Sequence, residues 1–251
     1  MLKKVIKKLL NSYGYDIVKK NQETLITEIN ENEKNILNKV KKYTLTNTER
    51  LWLLIQSFKY VYRNKIDGDL VECGIWKGGN LVLMGELCLL YGTNKKIYGY
   101  DTFEGMTEPN NYDVTYANKS AKKNLSKYKK DKNNKDSMWA ISGYEETNNN
   151  ILESTIYKNF QLIKGDVVST LSDKKNLPKK ISILRLDTDF YESTKKELET
   201  LYPLLSVGGI LIIDDYGHWK GCQKAVDEYF KEKKIELFMC DFSCRYFIKS
   251  E

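Results

Sequence analysis

Five runs rich in β-branched and other apolar residues, at 69–75, 96–102, 160–166, 181–187 and 208–215, alternate along the chain with stretches whose apolar residues recur at helical spacing. Such alternation predicts a mainly parallel sheet with crossover helices, an α/β fold. Ahead of the first run, Leu51, Leu54, Ile55, Phe58 and Tyr62 lie on one face of a helix, with Asn47 or Thr48 as its N-cap. The tail KKIELFMCDFSCRYFIKSE holds two short strand-like runs with no room for a helix between them, so they should pair as an antiparallel hairpin at the sheet's edge.

Residues 1–45 are polar and rich in Lys, Asn and Glu, and read as an N-terminal helical extension to a domain at 46–251. At 251 residues the chain can bury one core of this kind. The stretch 106–141 is far longer than an ordinary connection; an insertion of that length at the ligand edge of a sheet is expected to be a lid, with Tyr112, Tyr116 and Trp139 as an apolar wall.

A net charge of +7 changes this picture little, because the lysines are scattered among acids and asparagines and make no nucleic-acid footprint. The five cysteines are odd in number and lack partners at zinc spacing, which points to a reduced, cytoplasmic protein. No run nears the roughly 18 apolar residues of a membrane span. The opening MLKKVIKKLL lacks a long apolar region and a small-residue cleavage site; it reads as a basic helix on a membrane surface, or as one packing on its own domain or a second copy in a homo-oligomer.

Candidate chemistry gathers where the apolar runs stop. ISILRLDTDFYE ends in Asp187 and Asp189, and GGILIIDDYGHWK in Asp214 and Asp215, which puts four carboxylates at the C-terminal ends of two strands. Ligands bind at that edge of an open α/β sheet, and acids there suit a hard divalent cation or proton transfer. The first strand runs into ECGIWKGGN, a glycine turn opening a helix, though without the G-x-G-x-x-G of dinucleotide folds. Asp101, ending the second strand, is placed to accept hydrogen bonds from two ribose hydroxyls, and Asp166, ending the third, to contact an adenine-side group.

Taken together, GDLVECGIWKGG, YDTFEG, LRLDTDFYEST, LYPLLSVGGILIIDDYGHWKGCQKAVDEYF and the lead-in TNTERL resemble the macrocin-type (TylF/MycF) O-methyltransferases over roughly 45–248. The resemblance implies a Rossmann-like class I methyltransferase fold: a mostly parallel seven-stranded sheet with an antiparallel C-terminal edge hairpin. It also implies S-adenosylmethionine and Mg²⁺ as cofactors and a small-molecule sugar or nucleotide-sugar as acceptor. By the same resemblance Asp187, Asp214 and Asp215 are the metal ligands, and Glu72, Gly74, Gly78 and Asp101 line the S-adenosylmethionine site.

A sugar hydroxyl is a very weak acid, so its methylation needs help in removing the proton. Asp189, two residues beyond Asp187 and on the same side if the strand continues, is the leading general base; His218, the single histidine, is the second candidate. The expected activity is methyl transfer to a sugar hydroxyl, of a nucleotide-activated sugar for a surface polysaccharide or of a glycosylated small molecule. Two other readings stand beside it: a glycosyltransferase that holds a metal and a nucleotide-sugar diphosphate on Asp187-Thr188-Asp189, and a non-enzymatic nucleoside-binding subunit.

Overall fold

The computed structural model describes residues 6, 9, 10, 12, 13, 26–127, 139–233 and 235–251. Most of the opening basic run and the middle of the 106–141 insertion lie outside them. Helix α1 (Glu31–Val40) begins in a capping box between Asn30 and Glu33 and buries Ile36, Leu37 and Val40. Helix α2 (Thr48–Arg63) is capped by Asn47, whose side chain accepts from the Arg50 N–H at 2.9 Å. Its buried face carries Leu51, Leu54, Ile55, Phe58 and Val61. Tyr62, assigned to that face by spacing, instead turns outward and packs on Tyr91 at 4.9 Å, because Val61 fills the core position next to it.

Strands β1 (Asp69–Cys73), β2 (Ile97–Asp101), β3 (Phe160–Lys164), β4 (Ile181–Leu186) and β5 (Leu205–Ile213) pair in parallel in the order β3-β2-β1-β4-β5. Strands β6 (Phe238–Met239) and β7 (Arg245–Ile248) complete a seven-stranded sheet, β7 antiparallel to both β5 and β6. This is the Rossmann-like class I methyltransferase arrangement.

Successive strand residues alternate between two cores, as pleating requires. Leu70, Ile97, Ile183 and Ile210 join α1, α2 and α3 (Gly79–Leu90) on one face. Val71, Tyr98, Leu184 and Leu211 join α7 (Tyr191–Leu201) and α8 (Lys220–Tyr229) on the other. Between them run the short helices α4 (Ala121–Leu125), α5 (Tyr144–Ser154) and α6 (Val167–Thr170). Chain order reverses between β1 and β4, and a crevice opens at their C-terminal ends, as such a switch point dictates. Among the described residues no helix is long and apolar enough to cross a membrane.

The insertion departs from expectation. Its first part is closed on itself by an isolated bridge from Val114 to Ser120 and tied to the body by one from Thr115 to Trp219, and it buries Asp113, Ala121 and Leu125. The three expected wall residues do not converge: Tyr112 packs on Tyr191 at 5.0 Å, Tyr116 on His218 at 5.9 Å, and Trp139 against the α7–α8 core.

Candidate active site

A cavity of about 290 Å³ occupies the crevice at the strand tips. On its β1–β2 side the wall is largely main chain. Gly74, at φ 81, lets the tip of β1 close on β4: a Cβ there would lie 1.9 Å from the Asp187 carbonyl oxygen. Asp101 accepts from the N–H groups of Ile75 and Trp76, each at 2.9 Å, and of Phe103 at 2.7 Å. Trp76 and Phe103 both have positive φ, 47° and 55°, so this carboxylate stabilises a strained turn. An ionised carboxylate has about four acceptor positions, which leaves roughly one for a ligand rather than the pair expected for two ribose hydroxyls. Gly78 sits beneath the turn against Ile151, as the N-cap of α3, and does not line the cavity. Asp166 lines the cavity and caps α6 by accepting from the Val168 N–H at 2.9 Å.

Glu72 joins this wall to the other. One oxygen accepts from Asn80 at 2.7 Å and from Arg185 at 2.5 Å, while the second is buried without a partner. Burial lifts its carboxyl to about 7, against the pull of Arg185. Thr44, Leu45 and Thr46, from the segment between α1 and α2, also line the cavity, and Thr46 accepts from Asn80 at 3.2 Å.

The β4–β5 side is made of charge. Arg185, only 1% exposed, donates to Glu72, to Asp187 at 2.7 Å and to Asp214. Arg50 reaches from α2 to the other oxygen of Asp214 and to Asp241 at 2.7 Å. Oxygens of Asp187, Asp214 and Asp215 all lie within 4.8 Å of one another. Asp189 lies beside Asp215 and Trp219.

Burial raises Asp214 to about 7 and Asp189 to about 6, with Asp187 adding repulsion to both. Asp215 is pushed well above the carboxylate range by burial and by Asp189, Asp214 and Asp187. One Asp215 oxygen is buried without a partner. Hard oxygen donors, an orphaned buried oxygen and carboxylates in excess over the two arginines fit a divalent cation such as Mg²⁺.

Glu72, Gly74, Asp101, Asp166, Asp187, Asp189 and Asp214 thus line one cavity, with Asp215 packed behind. Asp189 arrives there by another route than the alternation assumed for it. β4 stops at Leu186, and Asp189 adopts φ 66, a left-handed turn that swings its carboxylate toward Asp215. His218 is not part of the cavity lining. Its ring packs among Tyr116, Trp219 and Phe242, and burial together with Arg50 lowers its pKa, which keeps the imidazole neutral.

Sequence reading missed Arg50 and Asp113. Arg50 stands in the TNTERL lead-in, 164 residues from Asp214, and only an unmatched acid pair signals its need. Asp113 accepts from the Tyr191 N–H at 2.9 Å and so caps α7, whose own cap residue, Phe190, offers no side-chain acceptor.

Residues 7–249 match the macrocin-O-methyltransferase (TylF) family. The chain is 32% identical to a demethyldecarbamoylnovobiocin O-methyltransferase of Streptomyces niveus, over 74% of this chain and 67% of the relative. It is 29% identical to a Streptomyces olivaceus enzyme named 8-demethyl-8-(2,3-dimethoxy-alpha-L-rhamnosyl)-tetracenomycin-C 4'-O-methyltransferase, over 74% and 67%. Among solved structures, that of the O-methyltransferase NovP superposes with a TM-score of 0.71 at 26% identity, covering 99% of this chain and 98% of NovP. Because the family match spans nearly the whole of the 251 residues, the chain belongs to the macrocin-O-methyltransferase (TylF) family.

Proposed function

We propose that this protein transfers the methyl group of S-adenosylmethionine to a hydroxyl of a sugar, with Mg²⁺ held by Asp187, Asp214 and Asp215. The observation that carries this reading is that the glycine turn after β1 and the acids after β4 and β5 open into one cavity. S-adenosylmethionine, when bound, supplies an electrophilic sulfonium methyl that becomes the O–CH₃ of the product and leaves S-adenosylhomocysteine. Mg²⁺, when bound, makes a coordinated hydroxyl more acidic.

The chain's residues supply the rest. Glu72, Gly74 and the Asp101-braced turn line the donor end, with Asp166 at its far wall. Asp189, poised at about 6, faces the cavity and takes the acceptor's proton; His218, neutral and outside, shapes the mouth. Arg185 and Arg50 hold the acids at fixed separation. Residues 46–251 form the methyltransferase domain, and 1–45 extend it, with α1 packed on the core; the extension is assigned a role in a homo-oligomer.

Of the two acceptor classes, the glycosylated small molecule has support from the relatives, one of which is named for a rhamnosyl substrate. A glycosyltransferase reading leaves the β1 turn and the Asp214–Asp215 pair without a role. Thermal shifts with S-adenosylmethionine, S-adenosylhomocysteine and UDP-glucose, each with and without Mg²⁺, test the choice. Stabilisation by the first two is expected; stabilisation by UDP-glucose plus metal alone would overturn it.

A further inference from the structure

Glu197 is fully buried on α7, yet no arginine or lysine among the described residues pairs with it. Leu198 and Leu201 on the same helix face are apolar, and a leucine or methionine at 197 would avoid the cost of desolvating a carboxyl. What the carboxyl does is accept from a single hydroxyl: Thr188 Oγ1 lies 2.9 Å from one oxygen and 3.1 Å from the other. The Cys73 thiol, at the tip of β1, is its other side-chain partner.

Thr188 stands between Asp187 and Asp189. The segment it belongs to leaves the sheet after Leu186 and takes φ 66 at Asp189, a conformation that costs of order 1–3 kcal/mol outside glycine unless the surroundings impose it. The main chain is tied at its ends, with Asp187 N donating to Cys73 O at 2.9 Å and Phe190 N to Thr188 O at 2.7 Å. The Ser193 hydroxyl also donates to Thr188 O, at 3.2 Å. At the centre of the turn the Thr188 side chain, which borders the cavity, is anchored from behind by Glu197, which is buried and does not line the cavity.

We propose that Glu197 is the positioning residue of the acid centre: by gripping Thr188 it fixes the turn that presents Asp187 to a metal and Asp189 to the acceptor. This rests on the metal-dependent reading above. Groups that orient metal-bound carboxylates from behind are worth about 10–100-fold in metal affinity, because a ligand free to rotate must be ordered again on binding.

The test is a Mn²⁺ titration followed by electron paramagnetic resonance, on the full chain without acceptor, with circular dichroism as a check of folding. Glu197→Leu and Thr188→Val should each weaken Mn²⁺ binding about 10–100-fold while S-adenosylmethionine affinity stays within about twofold. Glu197→Gln keeps an acceptor oxygen for Thr188 and should recover most of the affinity. Thr188→Val keeps Glu197 and the helix intact, so it remains informative if Glu197→Leu fails to fold. Wild-type protein that takes up no Mn²⁺ would overturn the metal-dependent reading and this inference with it. Wild-type binding with unchanged affinity in Thr188→Val, or no recovery in Glu197→Gln, would overturn the inference alone.

Discussion

At the tips of β1 and β2 the cavity wall is main chain: Asp101 gathers three backbone N–H groups, and Gly74 lets two strand ends approach closer than any side chain permits. At the tips of β4 and β5 it is charge: Arg185 from within the sheet holds Asp187 and Asp214, Arg50 from α2 holds Asp214, and Asp189 and Asp215 stand beside them. The first half joins the tips of β1 and β2, 25 and 26 residues apart in sequence, through one carboxylate satisfied by main-chain N–H groups. The second brings like charges together, which raises the proton affinity of Asp189, Asp214 and Asp215 and would be relieved by a cation. On the proposed reading, a methyl donor uses a slot built of main chain, whereas a weakly acidic hydroxyl uses a site whose charge would be balanced when metal and acceptor are in place.

Removing the element common to both halves should have the largest effect. Arg185→Met leaves Glu72, Asp187 and Asp214 without their buried cation. Stability should fall by roughly 3–5 kcal/mol, the range for breaking a buried pair, and activity should be lost; urea denaturation measures the first and methyl transfer the second. A fall under about 1 kcal/mol would mean that the arginine is not what holds the acids together.

Next comes the chemistry of the charged half. Asp189→Asn should lower kcat by about 10²–10⁴-fold with S-adenosylmethionine affinity unchanged, while His218→Asn, outside the cavity, should act mainly on KM. Abolished turnover in His218→Asn with an active Asp189→Asn would reverse the two roles.

The main-chain half should break independently. Asp101→Ala releases three N–H groups and two positive-φ residues, so calorimetry should find S-adenosylmethionine bound about 10–100-fold more weakly, from charged hydrogen bonds worth roughly 1.5–3 kcal/mol each. Mn²⁺ affinity should not move. If it does, the two halves are one cooperative unit.

Stability against pH tests the charged half as a whole. Asp189 at about 6, Asp214 at about 7 and Glu197 at about 8 all bind protons more tightly in the folded chain than in the unfolded one. Their contribution is therefore complete below about pH 4 and is lost as pH rises through about 6 to 8. Metal-free protein should show a falling Tm across that window in scanning calorimetry, and Mg²⁺ should flatten the fall. An unchanged slope with Mg²⁺ would indicate that the cation does not bind among these acids.

The strands and the acids at their tips were legible because a buried parallel strand reads as an uninterrupted apolar run and a polar residue ends it. The same reading extended β4 too far, since DTDF continues its alternation and nothing local announces the left-handed turn at Asp189. It also placed Tyr112, Tyr116 and Trp139 on one wall, because proximity in sequence says nothing about which core each ring joins.

What the sequence by itself determined was the α/β order, the antiparallel tail and the family, all of which follow from period, spacing and short motifs. Tertiary structure decided the partners of the acids. Arg50, Glu197 and Asp113 lie 164, 9 and 78 residues from the groups they hold, Asp214, Thr188 and Tyr191. Burial, which raises the proton affinity of a carboxyl that would be ionised at the surface, exists only once distant segments have closed over it.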